Sequence, residues 1–171
     1  MADRTTDYLQ SRLGKSIKLN RKGPESKTGM LLDLNSEFFT VLTEEDGVVY
    51  YTMHHVKSLS HNAKTKEKVP FELTDDFTYL TASTFKELLA SFDQYWVHVN
   101  HGPEKVEGVL SAVEDEWATI VTQEEVVRVN IYHIKTLSYG NKLQKNEDHS
   151  NEKENNEGNN EKKNKKDDSG K

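Results

Sequence analysis

Asn20-Arg21-Lys22-Gly23-Pro24-Glu25-Ser26-Lys27-Thr28-Gly29-Met30-Leu31 returns, altered, as Asn100-His101-Gly102-Pro103-Glu104-Lys105-Val106-Glu107-Gly108-Val109-Leu110. Each stretch holds a Gly-Pro-Glu triplet with a Gly and a Leu downstream. Working outward, the match continues. Phe38-x-Thr40-Val41 meets Trp117-x-Thr119-Ile120, and His55-Val56-Lys57-Ser58-Leu59-Ser60 meets His133-Ile134-Lys135-Thr136-Leu137-Ser138. The offset is 79 at the triplet and 78 at the histidine. Two landmarks at nearly one spacing predict two copies of one module in a single chain.

The pattern inside a copy is a short helix followed by five short strands. Leu9 and Leu13 share a face of a helix over 6–13, and Gly14 stands where a left-handed C-terminal residue belongs. Polar and apolar residues alternate over 16–20, the mark of a half-buried strand. Gly-Pro then predicts a reversal over 21–27. Strands follow at 28–34, 37–43, 48–52 and 56–60, with Asp46-Gly47 suited to a tight hairpin. In the second copy, Thr84 and Glu87 read as a capping box. Phe85, Leu88, Leu89 and Phe92 form one apolar helical stripe. Strands are expected at 95–99, 107–113, 116–122, 126–130 and 134–138. Gly29 and Gly108, inside the second strand of each copy, predict a bend or a close backbone approach. Modules of about 60 residues have marginal cores, which favours packing the two together.

The expected organisation is therefore a first module at 1–62, a connector at 63–83, a second module at 84–140 and a tail at 141–171. Phe71, Leu73, Phe77, Tyr79 and Leu80 should pack the connector onto a module. The tail has one aliphatic residue, Leu143, and no aromatic. It cannot bury enough apolar surface to offset the entropy of ordering, so a disordered, low-complexity segment is expected. Its eight Lys and eight Asp/Glu cancel, and the net charge of −6 belongs to residues 1–140. An acidic surface is a poor general binder of phosphate backbones. With no cysteine in the chain, disulfides and thiol chemistry are excluded. No apolar run is long enough to span a bilayer, and the N-terminus lacks the apolar stretch of a secretory signal.

No catalytic motif emerges, so the chain reads as a non-enzyme without a cofactor or small-molecule substrate. Glu25 and Glu104 lie in equivalent turns of separate modules, and no pairing is implied. Glu25 reads as a cap on nearby backbone N–H groups, with Gly23, Pro24, Gly102 and Pro103 as turn formers. His54-His55 lacks the convergent ligands of a metal site. His55 and His133, each two residues before Lys57 and Lys135, read as backbone-bonding residues of the turn into the last strand. Tyr50 and Tyr51 are neighbours on a strand, so one faces in and one out, as with Tyr95 and Trp96. Tyr51 and Trp96 are candidates for an adhesive surface.

The helix-plus-five-strand pattern resembles the Sm-like fold of RNA-binding rings, and two tandem Sm-like barrels packed as a pseudo-dimer are expected. Met53-His54-His55 and Ile131-Tyr132-His133 lack the Arg-Gly or Lys-Gly pair of the RNA sites in that fold. A closer resemblance rests on Gly-Pro-Glu-Ser-Lys-x-Gly, Glu-Asp-Gly-Val-Val-Tyr-Tyr, His-His-Val-Lys-Ser-Leu-Ser and Tyr-His-Ile-Lys-Thr-Leu-Ser. These strings resemble the spore coat protein B family of Bacillus and its relatives. The resemblance implies a structural protein of the outer spore coat, made in the mother cell and assembled on the forespore. Its implied partners are other coat proteins. In the tail it lapses: Ser150 and Ser169 stand where the best-known form has a long Ser- and Lys-rich segment. Unpaired edge strands at the ends of two joined barrels would allow self-association into arrays. Covalent joining without cysteine would fall to Lys–Gln or Tyr–Tyr links, with Gln144 among the tail lysines. The alternative reading is an Sm-like RNA-binding chaperone.

Overall fold

The computed structural model describes residues 4–23, 25–64 and 72–139. The expected disordered tail, Pro24 and Phe71 lie outside the described residues.

Helix α1 (Arg4–Gln10) leads into β1 (Ser16–Leu19), β2 (Lys27–Leu34), β3 (Phe38–Thr43), β4 (Gly47–Thr52) and β5 (Leu59–Ser60). Helix α2 (Phe85–Ala90) leads into β6 (Trp96–Val99), β7 (Val106–Glu114), β8 (Trp117–Val121), β9 (Val126–Asn130) and β10 (Thr136–Tyr139). A 3-10 turn precedes the last strand of each half, at Met53–His55 and Ile131–His133. The chain is thus mainly β with few short helices.

All ten strands join one antiparallel sheet in the order β5-β1-β2-β3-β4-β10-β6-β7-β8-β9. The halves meet where β4 pairs with β10, in the register Tyr51↔Thr136, Tyr50↔Leu137 and Val49↔Ser138. Both long second strands shift register, at Leu31/Asp33 in β2 and at Leu110/Ala112 in β7. Such shifts bend a strand and steepen its twist. The glycines sit just ahead of them. A Cβ on Gly29 would lie 2.4 Å from the Leu42 carbonyl oxygen, and one on Gly108 would lie 2.3 Å from that of Val121. Neighbouring strands approach too closely there for any side chain.

Two cores cover the sheet. One gathers Leu9, Ile17, Leu19, Leu31, Phe39, Val41, Val49 and Tyr51, beside α1. The other gathers the α2 stripe with Phe38, Tyr50, Val97, Val99, Leu110, Ile120 and Leu137. Helix α2 therefore packs on strands of both halves. Its capping box forms through Thr84 and Glu87, and the Phe85 N–H donates to the Glu37 carboxylate at 2.7 Å. Ring contacts of 5.9 Å between Phe38 and Phe85 and 5.8 Å between Tyr50 and Phe92 lock the helix onto the first half.

This arrangement corrects the expectation for the tyrosines. Tyr50 and Tyr51 are both buried, because β4 lies between the two cores and neither of its faces meets water. Tyr51 stacks on Phe39 rather than forming an adhesive surface. Tyr95 and Trp96 are corrected the other way: both are exposed, since Tyr95 precedes β6 and Trp96 points away from its core. Strand β5 is shorter than the expected 56–60, whereas β10 reaches Tyr139. Among the described residues β10 is paired on both sides and β5 only with β1. The connector packs as expected through Phe77, Tyr79 and Leu80, while Leu73 is exposed. Tyr50 Oη donates to the Leu80 carbonyl at 2.9 Å.

Candidate functional site

The seam between β4 and β10 brings together residues far apart in sequence. Asn20 and Asn100 open the two repeated stretches, and each follows the first strand of its half. Both adopt positive φ, 45° and 60°. Asn tolerates that conformation because its short amide can bond locally. Asn20 Oδ1 accepts from the Lys57 N–H at 3.0 Å, and Asn100 Oδ1 accepts from the Lys135 N–H at 2.7 Å. Each asparagine thus fixes the backbone of the lysine that leads into the last strand.

Lys135 carries this geometry to the Gly-Pro-Glu turns. Its ammonium donates to Glu104 at 2.6 Å and to Glu25 at 3.3 Å. Glu25 also faces Lys57 at 3.7 Å. The two glutamates, expected to stay apart, therefore converge on one lysine. The Glu25 carboxylate meets two ammonium groups rather than capping backbone N–H groups. The hydrogen bond from Lys135 holds Glu104 below the usual carboxylate range, and Glu104 in turn raises Lys135. Gly23 and Gly102 turn the chain at φ of 97° and 70°, and Pro103 lies inside a 3-10 turn, Gly102–Glu104.

The histidines form a second cluster. His54 Nε2 and His55 Nε2 lie 2.9 and 2.7 Å from the Tyr132 carbonyl oxygen, which accepts from both. The His54 ring stacks on the Tyr132 ring at 4.7 Å. Desolvation lowers the His55 pKa, and neighbouring His54, Lys135 and His133 lower it further. His133 packs edge-on against Tyr132 and is exposed. Beside this cluster, Thr52 N–H donates to the Lys135 carbonyl at 3.1 Å and Thr52 Oγ1 to that of Ile134 at 2.9 Å. His101 Nδ1 lies 2.9 Å from Thr136 Oγ1, and its Nε2 stands 3.4 Å from Asp46, which also pairs with Lys27 at 2.9 Å. The hydrogen bond from His101, with Lys27 beside it, holds Asp46 far below the ordinary carboxylate range against its partial burial.

Sequence reasoning missed Asp46, His101 and Tyr132. Asn20 and Asn100 stood at the head of both repeated stretches, which was the available signal for them. Among the described residues, no three His, Asp or Glu side chains are placed to hold a metal ion. An open groove of about 800 Å³ lies beside the Thr52 end of the seam, past Glu37, His54, Phe85, Tyr132 and His133. No described helix is long and apolar enough to cross a membrane. What the arrangement does chemically is bind strand to strand: it holds two β edges together with backbone bonds, two ion-pair clusters and a ring stack.

The chain is 39% identical over 145 residues to spore coat protein B of Bacillus subtilis (strain 168). The alignment covers 82% of this chain and 37% of that protein, so the chain spans little more than a third of its relative's length. No family model matches, and no solved structure does.

Proposed function

The chain belongs to the spore coat protein B family, and on that footing we propose that it is a structural component of the outer spore coat, working through protein–protein contacts. The observation that carries the reading is the likeness to a coat protein over most of this chain. The seam supports it in kind, since the best-developed polar geometry in the molecule joins strands rather than surrounding a reacting group.

The same reading treats each half as an Sm-like module, at 1–62 and 84–140, with the connector between them. Three features support it. Each half pairs its strands in the cyclic order fifth, first, second, third, fourth. Each has a glycine at the close approach in its second strand. Each has a 3-10 turn before its fifth strand.

The test is a fluorescent fusion followed through sporulation. Expression in the mother cell and a ring of signal at the spore periphery are expected. Signal spread through the cytoplasm of the mother cell or the forespore overturns the proposal.

A further inference from the structure

The seam between the halves is repeated, half-finished, at both ends of the sheet. Strand β9 holds the place in the second half that β4 holds in the first. Yet β4 pairs on both sides, whereas among the described residues β9 pairs only with β8. The outward groups of β9 can be assigned. Ile131 N–H donates to the Glu116 carbonyl and Thr122 N–H to that of Glu125. By the alternation of an antiparallel ladder, Val126, Arg128 and Asn130 therefore turn their N–H and C=O groups away from β8. Their counterparts in β4 are Val48, Tyr50 and Thr52, and Thr52 N–H is spent on Lys135 across the seam.

Side chains show the same incompleteness. Phe38, Leu42 and Val48 are buried beneath α2 and the second half, at 3, 4 and 8% exposure. Trp117, Val121 and Val126 occupy the matching places in the second half and are 40, 39 and 65% exposed. The first half's outer end has the complementary shape. Among the described residues strand β5 pairs only with β1, and a groove of about 470 Å³ lies between α1 and β5, past Thr5, Tyr8, Val56 and Leu59. The charges match too. Lys57 and Glu104, equivalents of the seam pair Lys135 and Glu25, are 76% and 61% exposed at their side chains.

We infer that β9 of one copy pairs antiparallel with β5 of a second copy of this chain, head to tail. The internal seam sets the register, placing Arg128 opposite Leu59 and Glu104 of one copy near Lys57 of the next. A second copy is the occupant because its first half presents the edge, groove and charge that the second half's own β10 presents to β4. The contact is heterologous, so it propagates until a chain end or ring closure stops it. The inference rests on the coat-assembly reading for its purpose, but not for its geometry.

The experiment measures the mass of the full chain by sedimentation over a wide concentration range, with electron microscopy of the largest species. Two variants accompany it. Arg128→Pro removes one outward N–H at an edge, where proline is tolerated. Val126→Lys places a charge on an exposed side chain. Mass rising with concentration is expected, with association weakened about tenfold or more in each variant and an unchanged thermal melt. Threads and closed rings both support the pairing if the variants suppress them. A chain that stays a single copy at every concentration overturns it, as does association that both variants leave intact. A fusion that reaches the spore coat while the pure chain stays single sinks the pairing and leaves the coat reading standing. Self-association by a chain that never reaches the spore does the reverse.

Discussion

Lys135 in the second half stands 3.3 Å from Glu25 in the first, and the same ammonium binds Glu104 of its own half. One side chain thus ties both Gly-Pro-Glu turns together. Replacing it with Met should remove both ion pairs while keeping the aliphatic stem. Glu104 is exposed and Lys135 keeps 27% of its side chain in solvent, with Glu25 at 15%, so salt still reaches the cluster and the loss should be small and screened. A melting-temperature drop of less than about 4 °C at low ionic strength, vanishing near molar salt, is expected. A drop that persists in molar salt would mean the cluster works by packing rather than charge.

Desolvation holds the His55 pKa below its ordinary 6.5, so the unfolded chain binds the proton more readily than the folded one. The stabilisation is complete above about pH 6.5. It declines as pH falls from there to the folded pKa, since linkage favours the state that takes up protons. Urea midpoints should therefore fall as pH drops below 6.5, with a shallower slope in His55→Gln. Equal slopes in the two proteins would remove His55 from the account.

Much of the fold is legible in the sequence. Asp46-Gly47, Thr84 with Glu87, and the apolar stripe from Phe85 to Phe92 are local signals, and local chemistry decided those elements. Tyr51 was not legible. Alternation along a strand distinguishes two faces, but it does not say whether both will be covered. Both faces of β4 are covered because α2, more than 30 residues later, packs on the side away from α1. The meeting of Glu25 and Glu104 at Lys135 was hidden for a related reason. It depends on the register in which β4 meets β10, and no short-range pattern encodes that register.

The two buried tyrosines on β4 should respond oppositely to loss of their hydroxyls. Tyr50 Oη is bonded to the Leu80 carbonyl, and Tyr50→Phe leaves that acceptor without its partner. A cost of about 1 kcal/mol is expected. Tyr51 Oη is buried with no hydrogen-bond partner among the described residues, and burial pushes its pKa well above the ordinary 10. Tyr51→Phe removes an uncompensated polar group and keeps the stack on Phe39. It should be neutral or stabilising by up to about 1 kcal/mol. Chemical denaturation of the two variants settles the order. A larger loss for Tyr51→Phe would show that its hydroxyl is satisfied after all.

Gly29 and Gly108 are the most demanding positions in the repeated stretch. Neither needs an unusual φ, so space alone decides the outcome. The added methyl of Gly29→Ala meets the Leu42 carbonyl and the Val41 side chain, and that of Gly108→Ala meets the Val121 carbonyl and the Ile120 side chain. The nearest obstacle in each case is backbone held by a strand ladder, which cannot rotate aside as a flexible side chain would. Relief requires β2 to part from β3, or β7 from β8, close to the register shift in each pair. Overpacking of this kind costs about 1–3 kcal/mol, and these sites belong at the upper end because the clash is with main chain on both counts. Each alanine variant should lose about 3 kcal/mol in urea unfolding, and the double variant should fail to fold. A loss below about 0.5 kcal/mol at either site, within the range of ordinary surface substitutions, would mean that the strands are not held so closely there.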